Sequence, residues 1–172
     1  MMEWTKFLTD AELNDTEQFH RLPDGEYLFG KILHDVLDCL TRYRGYVEII
    51  TRYSEAYPAT ILNTLIRWNS TVEEWYMQTT ALDKYLGKHV NTSIEWAKHI
   101  AEIGKIVQGV PDFQAEVTAI TPPEEDKARQ WLQGVKRNAA ALNLIWQDIQ
   151  AQNYKRLWVT EKYRELISTD DL

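Results

Sequence analysis

The chain predicts an all-α fold, a bundle of five or six helices in one domain spanning residues 1–172, and three observations carry that expectation. Apolar residues recur at steps of three and four along most of the length, the spacing that places them on one face of a helix. Helix start and stop signals punctuate that pattern at intervals. The one extended-looking piece, Val117-Thr118-Ala119-Ile120, has no second strand to pair with. With 44% hydrophobic and 26% charged residues, the composition is that of an ordinary globular protein able to bury a core without staples.

The first predicted helix follows the Pro23-Asp24-Gly25 turn and buries Leu28, Ile32, Leu33, Val36, Leu37 and Leu40. Its stripe continues through Tyr46, Val47, Ile50 and Tyr53, as one helix of about thirty residues or as two joined near Gly45. Proline is comfortable in a first turn, so Pro58 opens the next element. Ile61, Leu62, Leu65, Ile66, Trp68, Val72 and Trp75 lie on its inner side, and it runs to about Leu86 with an irregularity at Asn69-Ser70. Thr92 and Glu95 have the form of a capping box for a third helix, with Ala97, Ile100, Ala101, Ile103 and Val107 inward. Gly109 and Pro111 close it. Residues 110–121 read as a linker or a brief helix. Thr121-Pro122-Pro123-Glu124-Glu125 then supplies a capping hydroxyl, prolines and acids, a start signal for a helix carrying Trp131, Leu132, Val135, Ala139, Leu142, Ile145, Trp146 and Ile149 to about Gln152. Leu157, Trp158, Tyr163, Leu166 and Ile167 continue that helix or form a last one. No repeat of 20 to 50 residues is visible, which argues against a solenoid.

Charge is laid out unevenly. The formal balance is −7, yet residues 127–164 carry eight cations against two acids, and residues 1–126 carry 11 against 21. An acidic portion, 1–126, thus precedes a basic helical portion, 122–168. Tyr154, Lys155, Arg156, Trp158, Lys162 and Arg164 interleave cations with aromatic rings, the combination that follows a phosphate backbone while offering surfaces for base stacking. Lys127, Arg129, Lys136 and Arg137 form a second cluster on the preceding helix. The bland alternative is that these side chains solvate the outer face of an amphipathic helix and pair with the chain's own acids. The pI near 5.1 argues against independent nucleic-acid binding, because the acidic remainder repels phosphate.

Reaction chemistry finds little footing. The Gly104–Gly109 segment has the glycine spacing of a phosphate loop, but Val110 and Pro111 stand where a lysine and a hydroxyl are needed. Cys39, the sole cysteine, sits among Val36, Leu37 and Leu40 and reads as a small buried thiol; a lone cysteine permits neither an internal disulfide nor a multi-thiolate zinc site. A metal site in a helical bundle needs carboxylates and histidines from facing helices. Glu17, His20, His34, Glu95 and His99 are the weak candidates for one. Paired acids such as Glu73-Glu74 point about 100° apart on a helix and share no proton.

The expected function is therefore a non-catalytic, cofactor-free helical subunit or adaptor of a larger assembly. Its basic C-terminal face would contact RNA, DNA or an acidic partner, and protein subunits would meet the rest. In size and helical class the chain is similar to the small helical subunits of prokaryotic nucleoprotein effector complexes such as those of CRISPR systems, a likeness that rests on no motif. A metal-binding helical-bundle enzyme and a homo-oligomeric structural or regulatory protein are the alternatives. No secretory signal is expected from the first residues, and no apolar stretch approaches the ~20 residues of a membrane span. A cytoplasmic location follows from these readings.

Overall fold

The computed structural model describes residues 25–88 and 96–151 and shows an all-α bundle. Among the described residues the five helices are α1 (Gly25–Arg52), α2 (Ala59–Lys88), α3 (Trp96–Ile106), α4 (Val110–Thr118) and α5 (Asp126–Gln150), with a 3-10 turn at Ser54–Ala56 between the first two. No strand occurs among the described residues.

α1 and α5 form the central pair. α1 contacts α2, α3 and α5, while α5 contacts α1, α3 and α4. The stripe predicted for α1 is buried at Ile32, Leu33, Val36, Leu40, Tyr46, Val47 and Ile50, and Phe29, Cys39 and Tyr43 complete it. The helix is unbroken at Gly45. Glycine costs about 1 kcal/mol of helix propensity relative to alanine, less than the burial of two flanking turns provides. Where α1 and α5 cross, Gly134 lies directly beneath the phenol of Tyr46, and a side-chain methyl at that position would overlap the ring. The tight approach at that crossing thus depends on the absence of a Cβ at residue 134.

Four predictions need correction. Ile66 is turned outward and is 49% exposed, because Leu65, one residue away, takes the inward position together with Trp68, Val72 and Trp75. α2 runs without interruption through Asn69-Ser70. Pro111 does not close α3, which ends at Ile106, but sits in the first turn of α4. α4 buries Val110, Phe113 and Val117, so this part of the 110–121 segment is a brief helix. Finally, α5 begins after Glu125 and not at Thr121. Glu125 is extended (φ −62°, ψ 130°), and its carboxylate accepts hydrogen bonds from the Lys127 and Ala128 amides. A residue preceding proline is biased away from helical angles, and Thr121 and Pro122 are both in that position. The capping box at Thr92 and Glu95 and the helix expected over Leu157 to Ile167 lie outside the described residues.

Polar side chains tie the helices together from inside. The Tyr43 hydroxyl donates to the Leu65 carbonyl at 2.8 Å, Asn138 Nδ2 to the Cys39 carbonyl at 2.7 Å, and Trp146 Nε1 to the Gly104 carbonyl at 3.0 Å. Asn143 donates to Gln114, joining α5 to α4. Such bonds contribute only about 1 kcal/mol each, but leaving a buried donor unmet costs more, so they fix which helix faces which.

Candidate partner interface

The described cations of the basic cluster do not all share one face. At about 100° per residue, Lys127 stands roughly half a turn from Lys136 on α5, whereas Arg129 and Lys136, seven residues apart, fall within about 20° of each other. Arg129 is engaged by Asp126 at 2.7 Å and by the Glu124 carbonyl at 3.3 Å. Lys136 reaches back 16 residues to donate to the Ile120 carbonyl at 2.5 Å, holding the α4–α5 connection against the helix. Arg137 is half-buried and its charge is felt by the Tyr46 phenol. Lys127 is exposed. Tyr154, Lys155, Arg156, Trp158, Lys162 and Arg164 lie outside the described residues.

The metal candidates are likewise dispersed or undescribed. His34 is on the outer face of α1 with its side chain 80% exposed, 3.7 Å from Asp35. His99 is half-buried on α3 against the rings of Phe29 and Trp96. Glu17, His20 and Glu95 lie outside the described residues. Among the described residues, no group of three or more His, Cys, Asp or Glu side chains is close enough to hold a metal ion. Cys39 is fully buried, and burial, reinforced by Asp38 and Asp35, pushes its thiol well above the ordinary range. It is therefore held as the unreactive thiol.

The feature that spacing did not reveal is a cleft of about 590 Å³ where the end of α1 meets the start of α5. One wall comes from Arg52, Tyr53, Glu55 and Ala56, the other from Glu125, Lys127 and Trp131. Tyr53 follows the last residue of α1, and its amide still donates to the Ile49 and Ile50 carbonyls. Its ring faces α5, as that of Tyr46 does two turns earlier, and packs on Trp131 with ring centroids 4.8 Å apart and planes inclined at 40°. This tilted pairing is favourable for aromatic rings. Tyr53 nevertheless remains 56% exposed.

Just behind the cleft, Tyr57 anchors the wall. Its hydroxyl donates to the Ala128 carbonyl at 2.9 Å in the first turn of α5, and burial, with the nearby Glu125 carboxylate adding to it, pushes its pKa up to about 12. Both walls are thus tied to each other below the opening. Arg52 is held by Glu48 at 2.6 Å on the outer side of α1. Exposed apolar surface also occurs on α2, at Ile66, Met77 and Tyr85.

A second aromatic group is closed. Trp68, Trp75 and Phe113 meet with centroid separations of 5.3 to 6.2 Å, and Tyr43 adds an edge contact to Phe113 at 5.0 Å. The Trp68 indole donates to Glu116 Oε2 at 2.5 Å while Arg67 donates to Oε1 at 2.7 Å. Hydrogen bonding from Arg67 is the main cause holding the Glu116 carboxyl below its ordinary pKa.

No protein-family model matches the chain, and comparison with curated proteins and with solved structures returns no significant similarity. None of the described helices is long and apolar enough to cross a membrane.

Proposed function

We propose that this chain is a non-catalytic helical adaptor of a larger cytoplasmic assembly, working by contact with a partner protein. The observation that carries the reading is the open Tyr53–Trp131 pair. An aromatic ring more than half exposed, packed against a second ring in a walled cleft, is the kind of anchor that dominates binding energy at protein interfaces. Tyr57 and the Gly134 crossing hold the two walls to the same rigid helix pair, so the surface is presented with little internal freedom. The basic segment containing Lys155, Arg156, Lys162 and Arg164 supplies a second contact, toward nucleic acid or an acidic surface within the same assembly.

The test is recovery of native partners on the full chain from its source cells, comparing wild type with Tyr53→Ala and with glutamate at positions 155, 156, 162 and 164. Recovery is expected to fall about tenfold or more in each, the loss of a single interface anchor, with helicity by circular dichroism unchanged. Nuclease treatment before capture separates a nucleic-acid contact from a protein one. Wild-type recovery in both variants refutes the adaptor reading.

A further inference from the structure

Charge around the cleft points to the chemistry of what it holds. Residues 48–56 and 124–129 carry five carboxylates, Glu48, Glu55, Glu124, Glu125 and Asp126, against Arg52, Lys127 and Arg129. Two of those cations are already neutralised, Arg52 by Glu48 and Arg129 by Asp126. Both oxygens of Glu125 are taken by the Lys127 and Ala128 amides at the start of α5, so Glu55 in the lining and Glu124 beside it are the carboxylates left against Lys127. A phosphate or an acidic side chain entering here meets net negative charge, and at these separations salt screens it only in part. A cation meets attraction twice, from the carboxylates and from the electron-rich face of the exposed tyrosine.

We propose that the cleft receives an arginine side chain of the partner protein, with its guanidinium laid over the outer face of Tyr53 and hydrogen-bonded to Glu55. The inference rests on the cleft being the contact surface of the adaptor, and it names the partner's chemistry there. Arginine fits better than lysine for physical reasons. Its guanidinium is planar and can lie flat on a ring, it is weakly hydrated and gives up little on leaving water, and its fork of N–H groups matches a carboxylate. Lys127, on the opposite wall, donates to a backbone carbonyl of the same segment and discourages a second cation from following the first. This selects a lone arginine in a neutral stretch and disfavours a polybasic run. The partner so defined is opposite in sign to the one the basic C-terminal segment would attract.

The experiment is a titration of the full chain followed by nuclear magnetic resonance at the Trp131 indole. The probes are Gly-Ser heptapeptides with a central arginine, lysine or glutamate, and an oligothymidylate. The arginine peptide is expected to bind and to shift Trp131, the lysine peptide to bind several-fold more weakly, and the other two to leave the signal in place. Tyr53→Ala should weaken the arginine peptide about fivefold, the scale of an exposed cation–π contact, and Glu55→Lys should weaken it further. Both residues are exposed, so neither change threatens folding. Equal or stronger perturbation by the glutamate peptide or the oligothymidylate overturns the proposal, as does an arginine affinity indifferent to both variants. If no peptide binds while Tyr53→Ala still loses native partners, the arginine assignment falls and the adaptor reading stands. Arginine binding with partner recovery untouched by Tyr53→Ala has the reverse meaning.

Discussion

The molecule holds two aromatic groups built from the same residue types, and they have opposite fates. Trp68, Trp75 and Phe113 lie between α2 and α4, closed over by Tyr43 and sealed at the edge by Glu116, which satisfies the Trp68 indole. Tyr53 and Trp131 lie where a helix ends and another begins, open to a cleft. Aromatic content alone therefore does not separate core from contact surface. What separates them is position relative to helix ends. A ring in mid-helix at the right phase is covered on both sides by its neighbours, whereas one at the end of the last turn keeps its phase but has no further turn to cover it.

Truncating the closed group is the strongest test of this contrast. Phe113 is fully buried and touches three other rings, so Phe113→Ala should cost about 3–5 kcal/mol, read from urea unfolding with an unchanged slope. A loss under 1 kcal/mol removes Phe113 from the core.

The seal at Glu116 gives a smaller, pH-dependent effect. Its folded-state pKa lies below the ordinary value of 4.5, so its contribution is present above that value and disappears as pH falls through the depressed folded pKa. Glu116→Gln should lower stability at neutral pH and flatten the acid side of the stability profile, with the two curves converging below the wild-type titration. Parallel curves down to pH 2 would deny Glu116 this role. The least effect is expected at the open group, where Tyr53→Ala should change stability by no more than about 0.5 kcal/mol while acting on partner recovery. A substantial melting shift in this variant would make Tyr53 a structural residue and erase the difference between the two groups.

Much of the bundle was legible because helical phase is a short-range signal. The α1 stripe from Ile32 to Ile50 and the α5 stripe from Leu132 to Ile149 can be read directly from steps of three and four. Legibility failed where two adjacent apolar residues compete for one inward position, as Leu65 and Ile66 do, since a wide stripe accommodates both. It failed again at the start of α5, where Thr121 has the right side chain for a cap but Pro122, which would open the helix, precedes a second proline and is biased away from helical angles. The cleft was illegible for a different reason. Tyr53 and Trp131 are far apart in the chain, and Tyr53 continues the α1 period so well that only the helix end, near Ser54, marks its ring as exposed. Asn138 and Asn143, whose amides bridge helices from buried positions, carry no local signature at all.

The crossing of Gly134 under Tyr46 has a consequence for recognition. Tyr46 stands two turns before Tyr53, and Gly134 about one turn after Trp131 on α5, so the contact of Tyr46 with Gly134 sits just inside the mouth the two rods frame. It acts as a fulcrum. With Tyr46 against Gly134 and Tyr57 bonded to Ala128, two contacts behind the mouth set its gape before any guest arrives. An incoming side chain then spends little of its binding energy on shaping its host.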